Sequence, residues 1–172
     1  MVNTQTVGSK VKRALSHLIA TPFQSRWLNA AALARLEAAI ALAERGHRGE
    51  IRLCIERSLP FTQSFHLRIR QRAEDMFAHL RIWDTAERNG ILIYLNLAEH
   101  RLEIVADQGL NTVINEKEWQ ILADAAVAKL YAKERIEALE ALLEDVGNLL
   151  RERMPSEDDP NGNELPNQVL LR

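Results

Sequence analysis

A chain of 172 residues, 47% of them hydrophobic and 27% charged, can bury one good core and need not hold two domains. Its 22 basic and 24 acidic residues leave a net charge of −2, so the global basic field of nucleic-acid binders is absent and no nucleic acid is expected as a partner. One cysteine, Cys54, excludes an internal disulfide, and no apolar run approaches the roughly 18 residues of a membrane span.

The chain opens with Val11, Leu15, Leu18 and Ile19 at helical spacing, with Lys10, Lys12 and Arg13 on or near the polar side and Pro22 after them. Ser16 and His17 interrupt the apolar stretch a secretory signal needs, so the expected location is cytoplasmic. Two readings of this amphipathic segment, residues 1–27, stay open: a short helix lying on the domain, or a membrane-surface or partner-docking element. Residues 28–154 read as a single domain. Asn29 is a good N-cap for an alanine-rich helix to about Arg45, with Leu33, Leu36 and Ile40 as its inner stripe and Gly46 as its stop.

Residues 49–57 alternate as a strand, with Ile51, Leu53 and Ile55 facing one way and Arg52, Cys54 and Glu56 the other, and Pro60 closing it. A second helix is carried by Phe65, Ile69, Ala73, Met76, Phe77 and Leu80. Residues 90–97 are almost continuously apolar and read as a strand buried on both faces, parallel to the first. Next comes a half-covered strand, with Leu102, Ile104 and Ala106 on one face and Arg101, Glu103 and Val105 on the other. The short link Ala98, Glu99, His100 makes these two an antiparallel hairpin.

Leu110 to Ile114 reads as a short edge strand. Asn115 and Glu118 have capping-box spacing before a helix with Trp119, Leu122, Ala126 and Leu130 inside. A last helix shows Ile136, Leu139, Leu143, Val146 and Leu150, a pattern better suited to packing on the sheet than to a two-heptad coiled coil. Residues 155–172 are acidic and rich in Pro, Asn and Gly, which predicts a mobile tail whose Val169, Leu170 and Leu171 could dock.

Familiar chemistry is missing. There is no GxSxG, Walker loop or GxGxxG, no HExxH, and no histidine pair at ligand spacing on one helix face. Cys54 lacks a phosphatase thiolate's arginine six residues on, where Pro60 stands, and reads as a buried structural thiol. Polar residues do collect where strands meet loops: Trp83, Asp84, Thr85, Glu87, Arg88 and Asn89 before the central strand, and Asp107, Gln108 and Gly109 after its partner. Antiparallel pairing brings Asp84, Asn89 and Asp107 to one edge, where they either cap turns or hold Ca²⁺ through oxygen ligands.

Residues 87–95, ERNGILIYL, and residues 101–110, RLEIVADQGL, resemble the central signature of the TPM domain, an NGVLLLIA-like strand leading to an R-x-x-I-E-V-G-x-G-L-like strand. Trp83 and residues 49–52 resemble neighbouring parts of that signature, and the likeness spans roughly residues 28–146. Arg88 stands where an acidic residue often precedes the Asn-Gly pair, and Asp107 where a glycine is common. The resemblance implies an α/β fold, a three-layer α/β/α sandwich with a small mixed sheet flanked by helices on both faces.

Some members of the family this chain resembles are associated with photosystem repair and acid phosphatase activity, and some bind calcium; two readings of this chain's activity are therefore carried. One is an accessory domain that binds a protein partner, one at a membrane included, through a loop edge of Trp83, Arg88, Asn89, Gly90, Arg101 and Gly109. The other is a Ca²⁺-assisted phosphatase in which Asp84, Asp107 and Glu116 hold the metal, and Arg88 or Arg101 the phosphate.

Overall fold

The computed structural model describes residue 13 and residues 25–64, 66–130, 134–158 and 161–172. From residue 30 on, the elements run in the order α1 (Ala30–Ala43), β1 (Glu50–Glu56), α2 (Phe61–Ser64), α3 (Ile69–His79), β2 (Gly90–Asn96), β3 (Arg101–Ala106), α4 (Glu116–Leu130), α5 (Arg135–Arg153) and β4 (Leu170–Leu171). The sheet order is β3-β2-β1-β4. β1 and β2 run parallel in the register Glu50↔Gly90 to Glu56↔Asn96, and β2 and β3 pair antiparallel, so the sheet is mixed as expected.

Alternation along the strands sorts two cores. Ile51, Leu53, Ile55, Ile91, Ile93, Leu95, Leu102 and Ile104 face Leu36 and Ile40 of α1, Trp119 of α4 and the leucines of α5. Cys54, Leu92, Tyr94 and Val105 face Ile69, Ala73 and Met76 of α3. β2 is buried along its whole length, the outcome predicted by its unbroken apolar run. α5 lies against both α1 and α4, where Gly147 allows the helix axes to approach: a Cβ there would meet the Ala43 carbonyl oxygen at 2.6 Å.

Local end signals act as read. The Asn29 side chain accepts from the Ala32 N–H at 2.9 Å, and Gly46 takes φ +81° past the end of α1. Asn115 Oδ1 accepts from the Glu118 N–H at 3.2 Å while Glu118 Oε2 accepts from the Asn115 N–H at 3.0 Å, a reciprocal capping box.

Three expectations need correcting. Residues 110–114 form turns, not an edge strand: Ile114 N–H donates to the Leu110 carbonyl at 2.9 Å, and the buried Leu110 and Ile114 share a face at helical spacing. β3 is covered on both faces, because α3 lies over Glu103 and Val105. The helix expected from Phe65 starts at Ile69, with the single turn of α2 before it, and Phe65 itself lies outside the described residues.

In the tail whose Val169, Leu170 and Leu171 could dock, the last residues lie along β1. Leu165 and Val169 enter the two cores, and Leu170 and Leu171 pair with Cys54 and Ile55. Of the amphipathic amino-terminal residues, Val11, Leu15, Leu18 and Ile19 lie outside the described set. Arg13 donates to the Leu67 carbonyl at 2.7 Å and pairs with Glu99.

Candidate functional site

The parallel strands β1 and β2 start, and β3 ends, at one edge of the sheet, so residues 48–50, 81–90 and 107–109 share that edge. Backbone demands fix it tightly. Arg88 takes φ +55°, turning the chain into β2. Gly109 N–H donates to the Arg88 carbonyl at 2.9 Å, and a Cβ on Gly109 would meet the carbonyl oxygens of Glu87 at 2.3 Å and Arg88 at 2.6 Å. Gly90 is pressed as closely on the Ile82 carbonyl, at 2.1 Å for such a Cβ. Both glycines are thus set by close approach of backbone to backbone.

The acidic residues are all engaged. Asp107, buried, accepts from Arg88 Nε at 2.9 Å and from the Gln108 N–H at 2.7 Å. That hydrogen bond and the charge behind it raise the Arg88 guanidinium further above its ordinary range. Glu87 pairs with Arg48 at 2.7 Å and Asp84 with Arg81 at 2.5 Å. Asn89 donates its amide N–H to the Arg48 carbonyl and its backbone N–H to Thr85 Oγ1 at 3.1 Å. Its buried Oδ1 has no hydrogen-bond partner among the described residues. Trp83 stays 41% exposed, with the Arg81 guanidinium 5.8 Å from its ring centroid.

The proposed metal ligands are not gathered. Glu116, at the start of α4, is 3.1 Å from Arg70, which also donates to the Ile104 carbonyl midway along β3. Among the described residues no three His, Cys, Asp or Glu side chains come together as a metal site. Arg101 pairs with Asn96 at the far end of the hairpin. Six residues of strand rise separate it from Asp107, on the order of 20 Å, so Arg101 and Arg88 do not share an edge.

Another polar cluster escaped the sequence reading. On the α3 face, Glu56 receives Arg72 at 2.9 and 2.6 Å and also the Tyr94 hydroxyl, while Asn96 donates to Tyr94 Oη at 3.3 Å. Glu56, Tyr94 and Asn96 are buried. Burial first, and the Glu56 charge second, push the Tyr94 hydroxyl well above its usual range, and burial lifts the Cys54 thiol to about 12, so neither is a nucleophile at neutral pH. The signal was a tyrosine inside a strand buried on both faces, because its hydroxyl must find a partner. A separate cleft of about 530 Å³ lies between α1 and α5, floored by Ala38 and Ala39 and flanked by Arg35, Glu140 and Arg151, away from both clusters.

With the geometry in place, the comparisons are specific. The family model of the TPM domain matches residues 23–149. Among solved structures, the NMR structure of BA42 protein from the psychrophilic bacterium Bizionia argentinensis is similar, with a TM-score of 0.73 and 26% identity over 84% of this chain and 94% of that one. A search of curated proteins finds no match.

Proposed function

Because the chain belongs to the TPM domain family, and because every acidic side chain of its loop edge is already engaged, we propose that it serves as an accessory, protein-interaction TPM domain. Its docking surface is the edge carrying Trp83, Asp84, Arg88 and Asn89. The observation behind this reading is the Arg88–Asp107 pair on the edge that also carries the exposed Trp83. A guanidinium takes the carboxylate that an oxygen cage would need, and Trp and Arg are among the residue types enriched in the hot spots of protein interfaces.

The alternative, a Ca²⁺-assisted phosphatase, draws on Asp84 and Asp107, and the two readings separate on metal dependence. In backbone NMR, titration with Ca²⁺ should leave the signals of Asp84, Asn89 and Asp107 in place. Affinity capture with Trp83→Ala, Arg88→Ala protein should lose partners that the unaltered chain retains. Saturable metal shifts at those three residues, absent in an Asp84→Ala, Asp107→Ala control, would defeat the interaction reading and make phosphate-ester assays the next step.

A further inference from the structure

β3 ends the sheet: among the described residues it pairs with β2 on one side and with no strand on the other. The Asp107 N–H donates to the Gly90 carbonyl at 2.9 Å, and with Ile91↔Ala106 as the next pair this sets the phase of the ladder. Antiparallel ladders alternate, so Glu103 and Val105 turn their N–H and C=O groups to β2, while Leu102, Ile104 and Ala106 turn theirs away from it. The side chains of Leu102 and Ile104 are buried in the core, so what these two residues offer beyond the edge is backbone.

One side chain reaches over that edge. Arg70, near the start of α3, donates from Nη1 to the Ile104 carbonyl at 2.8 Å, the central acceptor of the three. It is aimed there from both faces of the sheet. Glu74, one turn further along α3, accepts from its Nε at 3.0 Å, and Glu116, at the start of α4 on the opposite face, lies 3.1 Å from its Nη1. Such exposed pairs add little stability, but together they hold the guanidinium across the rim of β3.

A second copy of this chain is the strand that fits the edge. Antiparallel pairing about a twofold axis at Ile104 brings all three outward residues into register, with Ile104 opposite itself and Leu102 opposite Ala106. The same register sets Arg101 of each copy opposite Asp107 of the other, so opposite charges meet at both ends of the ladder. It also carries the two Arg70 side chains to the axis, each seated on the carbonyl that the other strand needs. We propose that Arg70 guards this edge: its guanidinium on the Ile104 carbonyl keeps two copies of the chain from joining their sheets through β3. A guanidinium suits the task because its fork of donors takes the carbonyl and the carboxylates together, while its charge repels its counterpart across the axis.

The test is Arg70→Ala in the full chain. Sedimentation equilibrium from about 10 μM to about 1 mM should give the monomer mass for the wild type and a concentration-dependent doubling for the variant. Hydrogen exchange by NMR locates the contact. In the wild type the amides of Leu102, Ile104 and Ala106 should exchange fast and those of Glu103 and Val105 slowly; in the dimeric variant the first three should slow about tenfold or more. A folded variant that stays monomeric overturns the proposal. So does a dimer that leaves those three amides fast, or a wild type in which they are already as slow as Glu103 and Val105. If Arg70→Ala does not fold, Arg70→Met keeps the apolar stem while removing every donor and the charge; it should dimerise in the same way, and a folded monomer overturns the guard.

Discussion

Two arginine–carboxylate pairs of similar geometry show how environment sets the worth of a residue. Arg72 and Glu56 keep only 14% and 4% of their side chains exposed, whereas Arg35 and Glu140 keep 51% and 30%. Removing Arg72 strands a charge beneath α3, a loss of about 3 kcal/mol or more. Removing Arg35 gives up a solvated, screened pair and should change stability little. Urea unfolding of Arg72→Met and Arg35→Met should show that contrast, and equal losses would mean that water reaches Glu56. The Glu103 carboxyl belongs to the first class: burial raises it, with Arg70 and Arg101 opposing.

At the scale of elements, what a short stretch dictates is what the sequence made readable. The Asn115–Glu118 box lies within four residues, and its removal should be correspondingly local: Asn115→Ala should cost about 1 kcal/mol in urea unfolding, with the β2 and β3 amides unshifted in NMR. The strand at residues 90–97 was legible because its apolar run allows little else, and the capped helices because their stripes and stops agree. Illegible were features whose partners arrive from far along the chain. Nothing near Glu56 in sequence names Arg72 as its partner, and Glu103 looked like a residue on the open face of a half-covered strand until Arg70 covered it. The tail's composition argued for mobility, and nothing near Leu170 in sequence announces β1 as its partner. The candidate edge was legible as a place, since hairpin pairing brings residues 89 and 107 together, but not as chemistry. That Arg88 would turn to Asp107 depends on a left-handed residue no pattern marks.

For the molecule as a whole, His47 is one group through which acid acts on stability. Its Nε2–H donates to the Ala43 carbonyl at 2.7 Å and its Nδ1 accepts the Gly49 N–H at 3.0 Å, so the neutral ring ties α1 to the start of β1 and has no site for a second proton. Burial lowers its pKa from the ordinary 6.5, and nearby Arg151 adds to that. On acidification the unfolded chain takes the proton first, so the stability His47 supplies is present above about pH 6.5 and drains away below it, by at most ~1.4 kcal/mol per pH unit. His47→Gln can keep both hydrogen bonds without titrating. Its urea midpoints between about pH 6.5 and pH 5 should fall less than the wild type's, and parallel curves would show that His47 is not the group responsible.

The pairing of Cys54 with Leu170 joins positions 116 residues apart. During synthesis, β1 and β2 can associate as soon as residue 96 has emerged, yet the outer side of β1 waits for residues 170 and 171. A growing chain therefore carries an uncovered strand border through the making of β3, α4 and α5, a border open to pairing with another chain until residues 170 and 171 arrive.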